Sequence, residues 1–244
     1  MLNVAPKNKE KTVSFLQNLQ RNDGSYDSVK VAYYVTETLT RLGHHSRKPL
    51  SYLVDSLEKI VEKLGDMNVY VDVSSEVEDI YCAVKVLSSL KKQFNRGRIS
   101  EQIFKLRNID GSFGRIGYSR LASTYYSLST LSLLGCRPNK LKDTLRWIRR
   151  CEVPPGGFVG EPGLSAAYIV MEDIYYGVKT LEVLNESCRY PEETLEVIAK
   201  FQNPNGGFRR SILLGISDFE STYQAVSSIK TILSHGRKQL RNKL

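Results

Sequence analysis

Apolar residues recur along this chain at helical spacing, and no segment alternates strongly enough to build a sheet. Phe15, Leu16 and Leu19 form the first apolar face, and a glycine-bearing turn follows. That phrase occurs four times: Leu16-x3-Gln20-x3-Gly24-x-Tyr26, Ile103-x3-Arg107-x3-Gly111-x-Phe113, Ile148-x3-Glu152-x3-Gly156-x-Phe158 and Ile198-x3-Gln202-x3-Gly206-x-Phe208. Asn22-Asp23-Gly24-Ser25 and its counterparts end each helix, with glycine supplying positive φ at little steric cost. The aromatic two residues on is expected to pack back against the hairpin. A second helix then opens around a tyrosine: Tyr33, Tyr81, Tyr125, Tyr175 and Tyr223, spaced 44 to 50 residues apart. Self-similarity at that period marks a repeat architecture. Five repeats of helix, turn and helix are placed at about 10–43, 50–92, 99–136, 140–186 and 190–235, the second without the glycine phrase. Strand is expected only for a few residues near Tyr70-Val71-Asp72-Val73. The fold class is all-α, with about five helical hairpins.

Composition changes this picture little. With 244 residues and no Ser/Gly or Pro linker, the chain reads as a single domain over 1–244. No apolar run nears the ~18 residues of a membrane span. The start of the chain is polar (Lys7, Lys9, Glu10, Lys11) and lacks a signal-peptide core. Cys82, Cys136, Cys151 and Cys188 have no close pairing, so they read as reduced thiols in a cytoplasmic protein. The net charge is +9. After Glu220 there are no acids, while Lys230, Arg237, Lys238, Arg241 and Lys243 remain, giving a basic tail at 236–244. Such a tail could meet nucleic acid or an anionic membrane. A solvated, frayed terminus is the simpler reading. The aromatic–basic interleaving of single-strand binders is missing, so nucleic acid is not an expected partner.

Acids cluster in register. Glu78, Glu172 and Glu220 each stand three residues before a phrase tyrosine, and Asp79 and Asp173 fill the next position. Ala122 and Ser123 stand there in the third repeat. Compensation of the helix dipole, worth about 0.3–1 kcal/mol each, explains any single acid. It explains less well why three repeats place glutamate at one position. Glu78, Asp79, Glu172, Asp173 and Glu220 are therefore the candidate catalytic residues.

The repeats resemble the prenyltransferase and squalene cyclase superfamily over about residues 12–235. The Gln-x3-Gly-x-aromatic phrase is similar to that superfamily's glutamine–aromatic motif. Gly156-Gly157-Phe158 with Gly160, Pro162 and Gly163, followed by Glu172-Asp173-Ile174-Tyr175-Tyr176, is similar to the beta subunits of protein prenyltransferases. The resemblance implies an alpha/alpha toroid, in which the tyrosine helices form an inner ring around a cavity. Relatives usually have six hairpins. Five imply an incomplete ring, with an apolar edge open to a partner subunit or to a second copy in a homodimer.

The resemblance also implies a zinc site at the starts of the inner helices, where this chain has Glu172, Ile174 and Glu220. Isoleucine cannot ligate a metal, and His44, His45 and His235 lie elsewhere. Ala166 and Ile169 replace the family's diphosphate-holding cations, and Tyr175 alone of that group is kept. Zinc is therefore not expected, and magnesium stays open. The cyclase branch implies an Asp-x-Asp-Asp acid, held neutral by burial and like-charged neighbours. Glu76-Val77-Glu78-Asp79 matches its placement, with two of the three acids changed to glutamate.

Aromatic walls suit isoprenoid chains and carbocations, so Tyr81, Tyr125 and Tyr175 are candidate ligand contacts. Core packing is the ordinary use of such a stripe. Arg115, Arg120, Arg209 and Arg210 are placed in the loops after the glycine turns, where they could bind a diphosphate or simply be solvated. Trp147, on an outer helix, reads as structural. The leading expectation is a prenyltransferase-like protein with a cavity for an isoprenoid or isoprenoid diphosphate. The alternatives are a non-catalytic binding or scaffold domain, and cyclase-like acid catalysis through Glu76, Glu78 and Asp79.

Overall fold

The computed structural model describes residues 6–65, 73–114, 119–136, 141–213 and 215–241. Among them are ten α-helices: α1 (Lys9–Asn18), α2 (Val29–Arg41), α3 (Tyr52–Gly65), α4 (Val73–Ser89), α5 (Arg96–Lys105), α6 (Arg120–Leu133), α7 (Lys142–Cys151), α8 (Met171–Val183), α9 (Pro191–Ala199) and α10 (Phe219–Arg241). The even-numbered helices carry the five phrase tyrosines, and α1, α5, α7 and α9 lead into the four glycine phrases. No strand occurs among the described residues. Single antiparallel bridges join Arg107 to Phe113, Glu152 to Phe158 and Gln202 to Phe208. Of the strand expected near Tyr70, residues 70–72 lie outside the described residues, and Val73 opens α4 instead. The basic tail is not wholly a tail, because α10 continues to Arg241; Lys243 lies outside the described residues. No described helix is long and apolar enough to cross a membrane.

The helices fall into two compact units. The first comprises Leu2–Lys105 with Leu133–Gly135, and the second Leu106–Ser132 with Cys136–Leu244. In the first, α4 packs against α2 and α3, and α3 also meets α5. Leu39, Leu53, Leu57, Ile80 and Leu87 are fully buried there. In the second, α8 packs against α7 and α10, and α10 also meets α9. Its core gathers Trp147, Ile148, Phe158, Met171, Ile174 and Phe201. The helix α7 shows why the amphipathic pattern is legible: Thr144, Trp147, Ile148 and Cys151 are buried while Arg146 and Arg150 look outward. By contrast, every residue of α6 from Leu121 to Leu131 is buried. Its Ser/Thr-rich sequence suits such a position because hydroxyls can bond back to the helix, as Thr130 does to the Tyr126 carbonyl at 2.8 Å.

The glycine phrase is the joint between consecutive hairpins. Its glycines have positive φ, from 84° at Gly206 to 92° at Gly111. The turns at Gly24, Gly111 and Gly156 dock at or just before the start of the next odd-numbered helix. Thr144 donates to the Gly111 carbonyl at 2.6 Å, and the Gly157 amide donates to the Thr194 hydroxyl at 3.0 Å. A Cβ added at Gly156 would lie 2.3 Å from the Glu193 backbone carbon. The residue four positions before each glycine clips the joint. Gln20 donates to the carbonyls of Gly24 (2.9 Å) and Lys48 (3.0 Å) and accepts from the Lys48 amide. The phrase aromatics Tyr26, Phe113, Phe158 and Phe208 are all buried. Gly156→Ala is expected to lower stability by more than ~1 kcal/mol, since it combines left-handed strain with a backbone clash. Urea denaturation checks this, and an unchanged midpoint would contradict it.

Candidate functional site

Each unit presents an acidic cluster at the start of a tyrosine helix. In the first unit Glu76, Glu78 and Asp79 lie in the opening turns of α4, where the helix dipole favours carboxylates. Lys30 of α2 stands three residues before Tyr33, the register position that holds Glu78 in the next repeat. Its Nζ pairs with Glu78 Oε1 at 2.9 Å. Burial pushes Asp79 up to about 6; Glu78 and Glu76 add to the rise, and Lys30 opposes it. Farther along α4, Lys85 Nζ donates to the hydroxyls of Tyr81 (3.2 Å) and Tyr33 (3.4 Å). It also lies 5.5 Å and 5.6 Å from the Tyr33 and Tyr81 ring centroids, a cation–π position. The two rings meet edge-on at 6.0 Å.

In the second unit Glu172 and Asp173 occupy the first turn of α8. Arg210, brought there by the turn whose carbonyl accepts from the Met171 amide, pairs with Glu172 at 2.6 Å. Asp173 is buried, and burial pushes it up to about 7, with Glu172 adding and Arg210 and the Gly160 amide opposing. A carboxyl poised there exchanges a proton readily at neutral pH, as a general acid or base requires. Glu220, in the first turn of α10, is exposed, and its charge reaches Arg210. Below these acids lies a cluster of phenols. Tyr125 meets Tyr175 at 5.7 Å and Tyr176 at 5.6 Å, and Tyr175 meets Tyr223 at 6.0 Å. Tyr126 and Tyr176 join it, with hydroxyls 3.5 Å apart. Tyr125 and Tyr175 are buried, while Tyr223 is 43 % exposed.

Of the four arginines expected in loops, Arg120 is placed differently. Arg120 is not a loop residue; it opens α6, pairs with Asp110 (2.9 Å) and Glu161 (3.1 Å), and lies over the Trp147 ring. Its two carboxylates compete with any bound anion. Arg209 is half-buried and donates to the Lys200 carbonyl, whereas Arg210 is exposed. Arg115 lies outside the described residues. Sequence reasoning passed over Lys30, Lys85, Tyr126 and Tyr176. Counting three residues back and four forward from each phrase tyrosine finds both lysines, and the Tyr-Tyr doublets find the two phenols.

The residues at the family's zinc positions do not fit that metal. Ile174 offers no donor and is fully buried in the core beside Met171 and Val178. Among the described residues, no three His, Cys, Asp or Glu side chains are arranged to share a metal ion.

The Prenyltransferase alpha-alpha toroid domain model matches residues 2–119 and 115–242. No curated protein sequence matches the chain. Among solved structures, the chain is similar to Candida albicans protein geranylgeranyltransferase-I complexed with GGPP. The TM-score is 0.71 at 19% identity, over 93% of this chain and 78% of that one.

Proposed function

Since the chain belongs to the prenyltransferase alpha-alpha toroid family, with the all-α toroid fold of that group, we propose that it binds an isoprenoid or isoprenoid diphosphate without the family's zinc site. The observation that carries this reading is the phenol cluster of α6, α8 and α10. Tyr125, Tyr126, Tyr175 and Tyr176 gather apolar faces, while Asp173 and the Glu172–Arg210 pair stand at the start of α8. Aromatic faces receive a polyunsaturated chain, and they stabilise positive charge on an allylic carbon as a diphosphate departs. The solved structure of similar fold is complexed with GGPP, which makes that molecule the first ligand to try. Asp173 is the group assigned to proton transfer, with Glu172 and Arg210 setting its charge environment. Zinc chemistry has no part in this reading, because Ile174 cannot hold the metal.

Calorimetric titration with GGPP tests the proposal. Wild-type protein should bind, and Tyr175→Ala should weaken binding by about 1–3 kcal/mol, the range for emptying an aromatic site. Equal affinity for both proteins would remove the phenol cluster from the site.

A further inference from the structure

We propose that Lys85, Tyr33 and Tyr81 form a binding site for a phosphoryl-type oxyanion within the first unit. This site is distinct from the acidic cluster and phenols of the second unit and does not depend on the isoprenoid reading. The proposal rests on how the three donors are arranged. The Lys85 ammonium donates to both phenol oxygens, at 3.2 Å and 3.4 Å, and lies 5.5–5.6 Å from both ring centroids. A phenol oxygen that accepts from a cation is polarised, so its own proton becomes a stronger donor. One ammonium and two phenols thus converge on one spot, with rings fixed edge-on at 6.0 Å. Two helices, α2 and α4, which pack on each other, hold them in place.

Several of the other cations are held by acids. Arg120 is held by Asp110 and Glu161, Arg149 by Glu152 and Glu186, Arg210 by Glu172, and Lys179 by Glu182. Lys30 is held by Glu78. Lys85 is half-buried, and its hydrogen bonds go to neutral oxygens; no described ion pair involves it. Of the acids on its two helices, Glu78 and Glu37 are engaged with other cations, while Glu76 and Asp79 stand nine and six residues before Lys85 on α4. Glu78 stands seven residues earlier on α4, about 10 Å along the axis, with Lys30. Glu37, one turn beyond Tyr33 on α2, is bonded to Arg41. Among the described residues the partners of Lys85 are aromatic faces and phenols, and such a cation attracts an anion strongly when the surroundings are partly dry. The oxyanion could be free phosphate or diphosphate, or the head of an isoprenoid diphosphate.

The test is calorimetric titration of the full chain with inorganic diphosphate, with farnesyl diphosphate and with farnesol. Wild-type protein is expected to bind inorganic diphosphate. Lys85→Met, which keeps the aliphatic stem, should weaken it at least tenfold. Tyr33→Phe with Tyr81→Phe should weaken it several-fold, with the rings and the fold preserved. Lys85→Arg should retain binding, which guards against a loss caused by misfolding. If farnesyl diphosphate binds more tightly than inorganic diphosphate and also depends on Lys85, the source is an isoprenoid head group. If the two bind alike, it is the free anion. Absence of inorganic diphosphate binding, or equal binding by wild type and Lys85→Met, would overturn the proposal. Failure of farnesyl diphosphate and farnesol to bind, with diphosphate binding intact, would instead sink the isoprenoid reading and leave this site standing.

Discussion

Replacing Arg149 with methionine should lower the unfolding free energy by about 3–5 kcal/mol, the cost of leaving a buried charge without its partner. The Glu152 side chain has no exposed surface, and its neighbour Arg149 is only 14 % exposed. Arg149 donates to Glu152 at 3.0 Å, to Glu186 at 2.9 Å and to the Ser187 carbonyl at 2.8 Å. The Arg189 amide completes the contacts of Glu152. Glu152 occupies the clip position of its glycine phrase, where two other repeats have glutamine. Gln20 and Gln202 each donate to the phrase glycine carbonyl, at 2.9 Å and 3.0 Å, a bond that a carboxylate cannot make. Adding Glu152→Gln to Arg149→Met should therefore recover much of the loss, by removing the stranded charge and supplying the glutamine clip. Urea denaturation of wild type, both single variants and the double variant measures the coupling. Additive losses would show that the two residues are not one unit.

Raising the pH from about 5 to 8 should destabilise the protein, and Asp173→Asn should remove most of that dependence. Burial raises the folded Asp173 to about 7, against 3.8 for an ordinary aspartate. Between those values the folded state holds a proton that the unfolded chain releases. Its contribution is thus complete below the unfolded value and is lost as pH rises through the folded one. At about 1.4 kcal/mol per pKa unit, the two units between pH 5 and the folded value make the loss roughly 3 kcal/mol by pH 8. Asp79, raised to about 6, acts in the same direction but is less buried and contributes less. Asp110 runs the other way. Burial raises it, yet the Ser112 hydrogen bonds and the Arg120 charge outweigh burial and hold it below 3.8. Its contribution disappears only at lower pH, outside this window. Denaturation midpoints at pH 5 and 8 decide the matter. A flat wild-type profile, unaltered by Asp173→Asn, would contradict the assignment of a protonated, buried acid.

The repeat made the fold legible, because the glycine phrase has a local cause. A positive φ at all four phrase glycines, with a close backbone neighbour at Gly24, Gly111 and Gly156, leaves glycine as the residue that fits, so the motif is seen in four of the five hairpins. The even-numbered helices were legible through Tyr33, Tyr81, Tyr125, Tyr175 and Tyr223 for the same reason of register. Charge partners were harder to read. Arg120 meets Glu161 and Arg210 meets Glu172 from 38 to 41 residues away, and nothing in either neighbourhood announces the pairing. Position alone made Arg120 look like a loop cation. The helix α6 was legible, but its burial on every side was not, because such burial erases the amphipathic stripe that marks α7. Lys30 and Lys85 are within reach of the repeat register, but a lysine on a helix reads first as solvated charge.

Thermal melting with and without GGPP tests most directly whether the protein is an isoprenoid-binding member of its family. At about 100 times its dissociation constant, a ligand of the folded state should add about 2.7 kcal/mol, or roughly 5–10 °C for a chain of this size. Such a shift, reduced in Tyr175→Ala, is the result expected. An unchanged melting temperature at high GGPP and farnesyl diphosphate, for a protein that unfolds cooperatively, would contradict it. The toroid would then be a scaffold that keeps the fold without the ligand.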